Sequence, residues 1–182
     1  MAPRLVTFGR LSPVKNIELM IQAVERLAPA VQDVSLDIIG GPAAPRDQDY
    51  VTWLKGYATS LGVEGRVRFL GPRPPAEVAP IVRKSSISLN LSDTGSMDKA
   101  ILESAASGVP VVTSNAAARR LVASRGLGFL AIEPTPSSLE AAIRNLLDSD
   151  RHTLATRVWR EIAGDHRLDL FVQRLALELG RL

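Results

Sequence analysis

Short aliphatic segments alternate with longer amphipathic ones along almost the whole of this 182-residue chain, and this alternation limits the fold more than any single motif does. The short segments include "RLVTFG", "VSLDIIGG" and "SISLNLS", whose composition is typical of buried strands. Strands that alternate with helices form a parallel sheet, because each helix returns the chain to the same edge. The sequence therefore predicts a single α/β domain, 1–182, with a doubly wound, Rossmann-like parallel sheet and helices on both faces.

About six strands are predicted, over residues 4–9, 34–41, 67–71, 86–92, 110–114 and 128–132. The first helix is predicted to begin near Asn16, whose side chain is expected to cap it. Further helices are predicted over residues 50–62, 75–84, a segment that contains Glu103 and ends at Gly108, and residues 136–147, 151–163 and 168–179. No internal repeat or interior linker interrupts this pattern.

The composition excludes several classes of protein. A chain with 46% hydrophobic and 23% charged residues is typical of a globular domain. It has no Cys and only two His, which excludes disulfides and thiolate metal sites and argues against a His-rich metal centre. The net charge of +3 is too small to indicate a nucleic-acid partner. No membrane-spanning run or signal peptide is recognisable, so a cytoplasmic location is expected.

Polar residues follow the predicted strands at the edge where α/β sheets bind ligands. Arg10 and Lys15 follow the first strand, and the loop that contains Gly95, Ser96 and Met97 lies between the fourth strand and the next helix. Arginine can hold a phosphate with two hydrogen bonds, lysine acts as a point charge, and amides at a helix N-terminus donate to anions. Glu103, in that helix, could accept both hydroxyls of a ribose. The pattern predicts a nucleoside diphosphate site.

Each of these residues is also explained, taken alone, as an ordinary solvated surface charge. The prediction depends on their coming together at one edge of the sheet. The chain contains no P-loop, GxGxxG or GxSxG motif. Phosphate-loop NTPases, dinucleotide-binding proteins and esterases therefore lose their usual support.

Four segments together resemble a known family. The chain is similar to the C-terminal half of a GT-B glycosyltransferase of family GT4 (glycosyl transferases group 1), in the same order over nearly its whole length. The segments are "TFGRLSPVKNIELMIQAV", "LDIIGGP", "LGVEGRVRFLGPRPPAEVAPIVRKSSISLNLS" and "KAILESAASGVPVVTSN". The resemblance implies a donor-binding domain that holds a nucleotide-diphosphate sugar.

The resemblance also implies roles for individual residues. Arg10 and Lys15 match the basic pair that grips the diphosphate and stabilises its charge during catalysis. Glu103 matches the second glutamate of the family's E-x7-E motif, which binds the ribose. The amides from Gly95 to Met97 match the loop that approaches phosphate and sugar. No metal or other cofactor is implied, because cationic side chains and the helix N-terminus stabilise the departing phosphate.

The chain departs from the family in two ways. Gly95 stands where the first glutamate of the motif often lies near the hexose, so recognition of the sugar is left open. Asp93, Asp98 and Lys99 are the nearby polar candidates to replace that acid. The family also carries an acceptor-binding N-terminal domain, for which these 182 residues have no counterpart. The chain by itself is expected to bind the donor without turning it over.

The expected function is donor binding in a retaining transfer of a sugar to an acceptor hydroxyl. A non-catalytic nucleotide-sugar-binding or regulatory module, completed by a partner chain, is the alternative, and a GT-B epimerase is a third candidate. The tail carries four arginines at intervals of seven, namely Arg160, Arg167, Arg174 and Arg181. They predict one face of a helix, expected to be solvated, with contact to the acceptor domain or an acidic membrane surface as the alternative.

Overall fold

A five-stranded parallel sheet forms the centre of the protein. The computed structural model describes residues 2–164. The strands are β1 (Arg4–Phe8), β2 (Ser35–Ile39), β3 (Val67–Gly71), β4 (Ile87–Asn90) and β5 (Val111–Thr113). Their order in the sheet is β3-β2-β1-β4-β5, so the chain winds outward from β1 to β3 and then returns past β1 to β4. This confirms the doubly wound architecture and places its topological switch point between β1 and β4.

Seven α-helices connect or follow these strands within residues 2–164. They are α1 (Ile17–Leu27), α2 (Gln48–Ser60), α3 (Pro75–Arg83), α4 (Lys99–Ala106), α5 (Ala116–Ser124), α6 (Pro136–Leu147) and α7 (Arg151–Val158). A π-helical turn, Trp159–Ala163, continues α7. The helix predicted over 168–179 lies outside the described residues.

Both faces of the sheet are covered, as the apolar segments predict. Successive side chains of a strand point to opposite faces. Leu5 of β1 therefore packs into the main core, to which α1, α2 and α6 contribute, whereas its neighbour Val6 packs on the other face against Ile39 and Val82. Val82 belongs to α3, and both Leu5 and Val6 are fully buried. A sheet covered on both faces leaves its carboxyl edge as the open surface near the switch point.

The sixth predicted strand, over residues 128–132, is wrong. Its first part is a 3-10 turn, Gly128–Leu130, and only Ala131 forms an isolated parallel bridge with Thr113. The residues before Ala131 are in the 3-10 turn and β5 ends at Thr113, so no row of paired residues forms. The aliphatic side chains Leu130 and Ile132 are buried in the main core. The segment therefore has the composition of a strand but not the hydrogen-bonded pairing of one.

The predicted capping role of Asn16 is also wrong, although α1 does begin at the next residue. Asn16 has a left-handed backbone with φ of 50°, whereas an N-cap side chain needs an extended one. Asparagine tolerates this conformation at the end of the preceding 3-10 turn, Pro13–Lys15. Its side-chain amide donates a 2.8 Å hydrogen bond to the Leu91 carbonyl. Asn16 thus joins the loop after β1 to the end of β4.

Candidate functional site

A cleft of about 790 Å³ lies at the carboxyl ends of β1, β2 and β3, bordered by α3 and α4. Its volume is within the range of small-molecule binding sites. The residues that line it are Phe8, Gly9, Arg10, Ile39, Gly40, Gly41, Pro42, Pro72, Arg73, Pro75, Val78, Ala79, Val82, Glu103, Ala106 and Ser107. Most of its surface is aliphatic or glycine backbone, with a few charged groups at defined positions.

Close backbone contacts form the floor of this cleft. Gly40 has φ of +143°, and a Cβ added there would lie 1.8 Å from the Gly9 carbonyl oxygen. The Gly40 amide donates to the Gly71 carbonyl at 2.9 Å, and the Leu11 amide donates to the Gly41 carbonyl at 2.8 Å. Glycine is required at position 40 because two strand ends approach each other there. The loops after β1, β2 and β3 are therefore tied into one surface.

Arg10 and Glu103 both line the cleft, although 93 positions separate them in the chain. Both side chains are exposed, and neither has a hydrogen-bond or ion-pair partner within residues 2–164. The orientation of α4 follows from its buried neighbour Ser104, whose hydroxyl donates to the Ser88 hydroxyl of β4 at 2.8 Å. The structure thus places in one cleft a guanidinium and a carboxylate that have no partner in the described part of the chain. Their roles in ligand binding stay predictions.

Lys15 follows β1 as predicted, but it forms an ion pair that the sequence does not predict. It does not line the large cleft, and its ammonium donates to the carboxylate of Asp98. Asn90 donates to the same carboxylate oxygen at 2.9 Å, and the other oxygen accepts from the Ala100 amide at 3.2 Å at the start of α4. Burial opposes the charge on Asp98, but hydrogen bonds from Lys15 and Asn90 outweigh it and hold the pKa of Asp98 below its usual value.

The two basic residues still border a common space. Arg10, Lys15 and Asn90 line a small cavity of about 10 Å³ beside the large cleft. Asp98 is one of the candidates to replace the missing acid near the sugar, but its carboxylate contacts Lys15, Asn90 and Ala100. Asp93 and Lys99 are exposed.

The loop that contains Gly95, Ser96 and Met97 lies outside the lining of the cleft. Gly95 and Ser96 are exposed, and a residue that the sequence analysis missed fixes this loop. Asn115 is fully buried, and its amide donates to the Thr94 carbonyl at 2.9 Å and to the Ser96 carbonyl at 3.1 Å. Its side-chain oxygen accepts from the Ala118 amide and so caps α5. An asparagine after a strand could have signalled that cap, but not the bonds to the loop.

Within residues 2–164, no group of three or more His, Cys, Asp or Glu side chains is arranged to hold a metal ion. In the same part of the chain, no helix is both long and apolar enough to cross a membrane. Arg160 is exposed and donates to Glu161 at 2.9 Å, whereas Arg167, Arg174 and Arg181 lie outside the described residues.

Comparison with known proteins decides the family. The profile of the family described as "Glycosyl transferases group 1" matches residues 2–149. The chain belongs to this family. This group 1 glycosyltransferase domain is 34% identical to a D-inositol 3-phosphate glycosyltransferase of Corynebacterium glutamicum over 151 residues, which are 81% of this chain and 36% of that relative. It thus spans about a third of the length of the curated relatives it matches.

Solved structures confirm the fold. Anabaena Alr3699/HepE, solved in complex with UDP, is 29% identical with a TM-score of 0.84, over 98% of this chain and 49% of that one. The catalytic domain of cholesterol-alpha-glucosyltransferase from Helicobacter pylori is 22% identical with a TM-score of 0.75, over 92% of this chain and all of that one, a likeness of fold alone. The group 1 domain therefore has the fold of the C-terminal domain of GT-B glycosyltransferases.

Proposed function

We propose that this domain binds a nucleotide-diphosphate sugar as the donor half of a retaining glycosyltransferase that transfers the sugar to an acceptor hydroxyl. The observation that carries the proposal is the presence of Arg10 and Glu103, both unpaired within residues 2–164, in one cleft at the carboxyl edge of the sheet. Anionic ligands of doubly wound sheets bind at this edge. The solved complex of the Anabaena relative with UDP supports a nucleoside diphosphate as the ligand class.

The lining of the cleft matches the three parts of a nucleoside diphosphate. The aliphatic side chains Ile39, Val78 and Val82 offer an apolar wall for the base. Glu103 can accept hydrogen bonds from the ribose hydroxyls. Arg10 also borders the small cavity beside Lys15, so the phosphates would extend past Arg10 towards the switch point.

The chemistry asked of this domain is stabilisation of a leaving group. In the transfer, the bond between the anomeric carbon and the β-phosphate oxygen breaks, and its electron pair stays on the diphosphate. The acceptor hydroxyl forms the new bond to the anomeric carbon, and its proton passes to the departing diphosphate. The guanidinium of Arg10 would offset the charge that develops on the phosphate, as fixed cations do in other sites of charge stabilisation. No metal ion is needed for this role.

The acceptor site is proposed to lie in a separate, N-terminal domain, since the curated relative is much longer than the aligned region. For the 182-residue chain by itself we expect donor binding without transfer. Transfer needs the acceptor held against the donor carbon, and such positioning supplies about 7–11 kcal/mol of the barrier in favourable cases. Robust acceptor glycosylation by the chain alone would contradict this division of labour.

The test is calorimetric titration of the chain with UDP, GDP and ADP, beside the corresponding nucleosides. Arg10→Ala should weaken binding of the preferred diphosphate by about ten- to a hundredfold, because a charge-assisted hydrogen bond is worth about 1.5–3 kcal/mol. Nucleoside binding should barely change. Arg83→Ala is the matched control, because Arg83 is an exposed arginine at the C-terminal end of α3 and is not among the residues that line the cleft. Absence of binding for all three diphosphates would refute the proposal.

A non-catalytic nucleotide-sugar-binding module is the second candidate. The observation that favours it is the pairing of Lys15 with Asp98, which occupies one of the two cations expected to stabilise the leaving group. Turnover of a radiolabelled nucleotide sugar by the full-length gene product distinguishes the two functions. Donor binding without any turnover, with a range of acceptors, would favour the module.

A further inference from the structure

The carboxylate of Asp98 has the kinds of partner that a bound phosphate would have. It accepts from the ammonium of Lys15, from the side-chain amide of Asn90 at 2.9 Å and from the backbone amide of Ala100 at 3.2 Å. A cation, a neutral amide and a helix N-terminus are the groups that proteins use to bind phosphate oxygens. An anion of the protein itself therefore takes up these donors.

The carboxylate of Asp98 also lies near the switch point, where an anionic ligand would bind. Lys15 ends the turn after β1, and Asn90 is the last residue of β4. These two strands are neighbours at the topological switch point, where the crevice of a doubly wound sheet opens. The small cavity lined by Arg10, Lys15 and Asn90 lies at the same place.

The ion pair of Lys15 and Asp98 is partly shielded from solvent, so its attraction can affect ligand binding. The side chains of Lys15 and Asp98 are 22% and 16% exposed, so solvent screens their attraction less than it screens a surface ion pair. Arg10 keeps its charge free within the described part of the chain, whereas the charge of Lys15 is neutralised. A diphosphate that recruits Lys15 must break this contact, and it then meets the negative charge of Asp98 at close range.

We propose that Asp98 is an internal anion that occupies the diphosphate subsite in the unliganded protein and lowers the affinity for nucleoside diphosphates by holding Lys15. This inference rests on the proposed function. Asp98 acts through Lys15 and is a positioning residue in this sense. Ligands that lack phosphate do not compete with it, so its effect is confined to phosphorylated ligands.

The test is Asp98→Asn, which keeps the size of the side chain and the ability to cap α4 but removes the charge. UDP should bind the variant about tenfold more tightly, whereas the affinity for uridine should stay the same. Asp98→Ser, which is also neutral and a good cap, serves as a second variant in case the first is poorly folded. Asp93→Asn is the matched control, because it removes an exposed acid from the same loop without touching Lys15.

The mechanism is checked in a Lys15→Ala background. There, Asp98→Asn should tighten UDP binding clearly less than it does in the native chain, because the part of the effect that acts through Lys15 is gone and only the direct repulsion of the diphosphate by Asp98 is left. Equal tightening in both backgrounds would show that Asp98 does not act by holding Lys15. Unchanged or weaker UDP binding in both neutral variants of the otherwise native chain would overturn the inference while leaving the proposed function intact. If neither the native chain nor any variant binds UDP, GDP or ADP, the proposed function falls and the inference falls with it.

Discussion

Replacement of Glu103 by glutamine separates its proposed contact with ribose from every structural role. The carboxylate is exposed and has no partner within residues 2–164, so Glu103→Gln should change the free energy of unfolding by no more than about 0.5 kcal/mol. A hydrogen bond to a charged group is worth about 1.5–3 kcal/mol. Glutamine keeps one acceptor oxygen but loses the charge. We therefore expect UDP to bind about five- to tenfold more weakly.

The assay is a thermodynamic cycle measured by calorimetry. UDP and 2′-deoxy-UDP are each titrated into the native chain and into Glu103→Gln. Because the deoxy ligand lacks one of the two hydroxyls, the substitution should weaken its binding by a smaller factor than it weakens UDP binding. The coupling free energy from the four affinities should be at least about 0.5 kcal/mol, the lower end for residues in direct contact.

A matched control excludes a general effect of charge. Glu64 is an exposed glutamate in the segment between α2 and β3, and Glu64→Gln makes the same change in net charge away from the cleft lining. It should leave all affinities unchanged. If Glu103→Gln weakens UDP and 2′-deoxy-UDP by the same factor, the carboxylate does not contact the diol, and this reasoning is refuted.

Two further predictions concern the floor of the cleft and acid stability. Gly40→Ala should lower the free energy of unfolding by at least about 3 kcal/mol, since strained backbone and overpacking each cost about 1–3 kcal/mol. Gly62→Ala is the control, because Gly62 has φ of +67° and no atom lies within 4 Å of the new Cβ, and it should cost only about 1–2 kcal/mol. Equal losses of unfolding free energy for the two variants, measured by chemical denaturation, would contradict the clash at Gly40. Because the pKa of Asp98 is lower in the folded chain than the unfolded value of about 3.9, its stabilisation is complete above that pH and is lost as the pH falls through the folded value. The native chain should therefore have a higher melting temperature than Asp98→Asn at pH 7, and the difference should shrink below about pH 4. A difference in melting temperature that is undiminished at pH 3 would contradict this prediction.

Four of the five strands, β1, β2, β4 and β5, could be predicted because each is a short, mostly buried run. Only Val67 is buried in the edge strand β3, which could be predicted from its short apolar segment between two helices. The same rule predicts a sixth strand at residues 128–132, where the composition is right but residues 128–130 form a 3-10 turn and only Ala131 forms a bridge to β5. Helix α5 was missed because only Ala118 and Val122 of its nine residues are buried, which is too few for a helical stripe. Burial determines composition, but strand pairing depends on a neighbour that the local sequence does not contain.

The candidate site also has features that the sequence predicts and contacts that it does not. Arg10 and Glu103 could be predicted to meet because their places relative to strand ends follow from the alternation of elements. The pairing of Lys15 with Asp98 depends on side chains 83 positions apart. The bond from Asn115 to the Thr94 carbonyl spans 21 positions. Contacts of this kind depend on rotamers and distances across the switch point, which periodicity does not encode.

The bonds made by Asn115 also determine when the loop between β4 and α4 loses its freedom. One buried side chain holds the Thr94 and Ser96 carbonyls and caps α5, so the loop becomes ordered when the chain folds and not when a ligand arrives. A ligand that meets a pre-ordered loop avoids the entropy loss of fixing it. Movement of this loop away from α5 would break the bonds that the Asn115 amide donates to it. The loop and α5 are thus expected to move together. A ligand at this edge of the sheet is therefore expected to bind without a rearrangement of the loop.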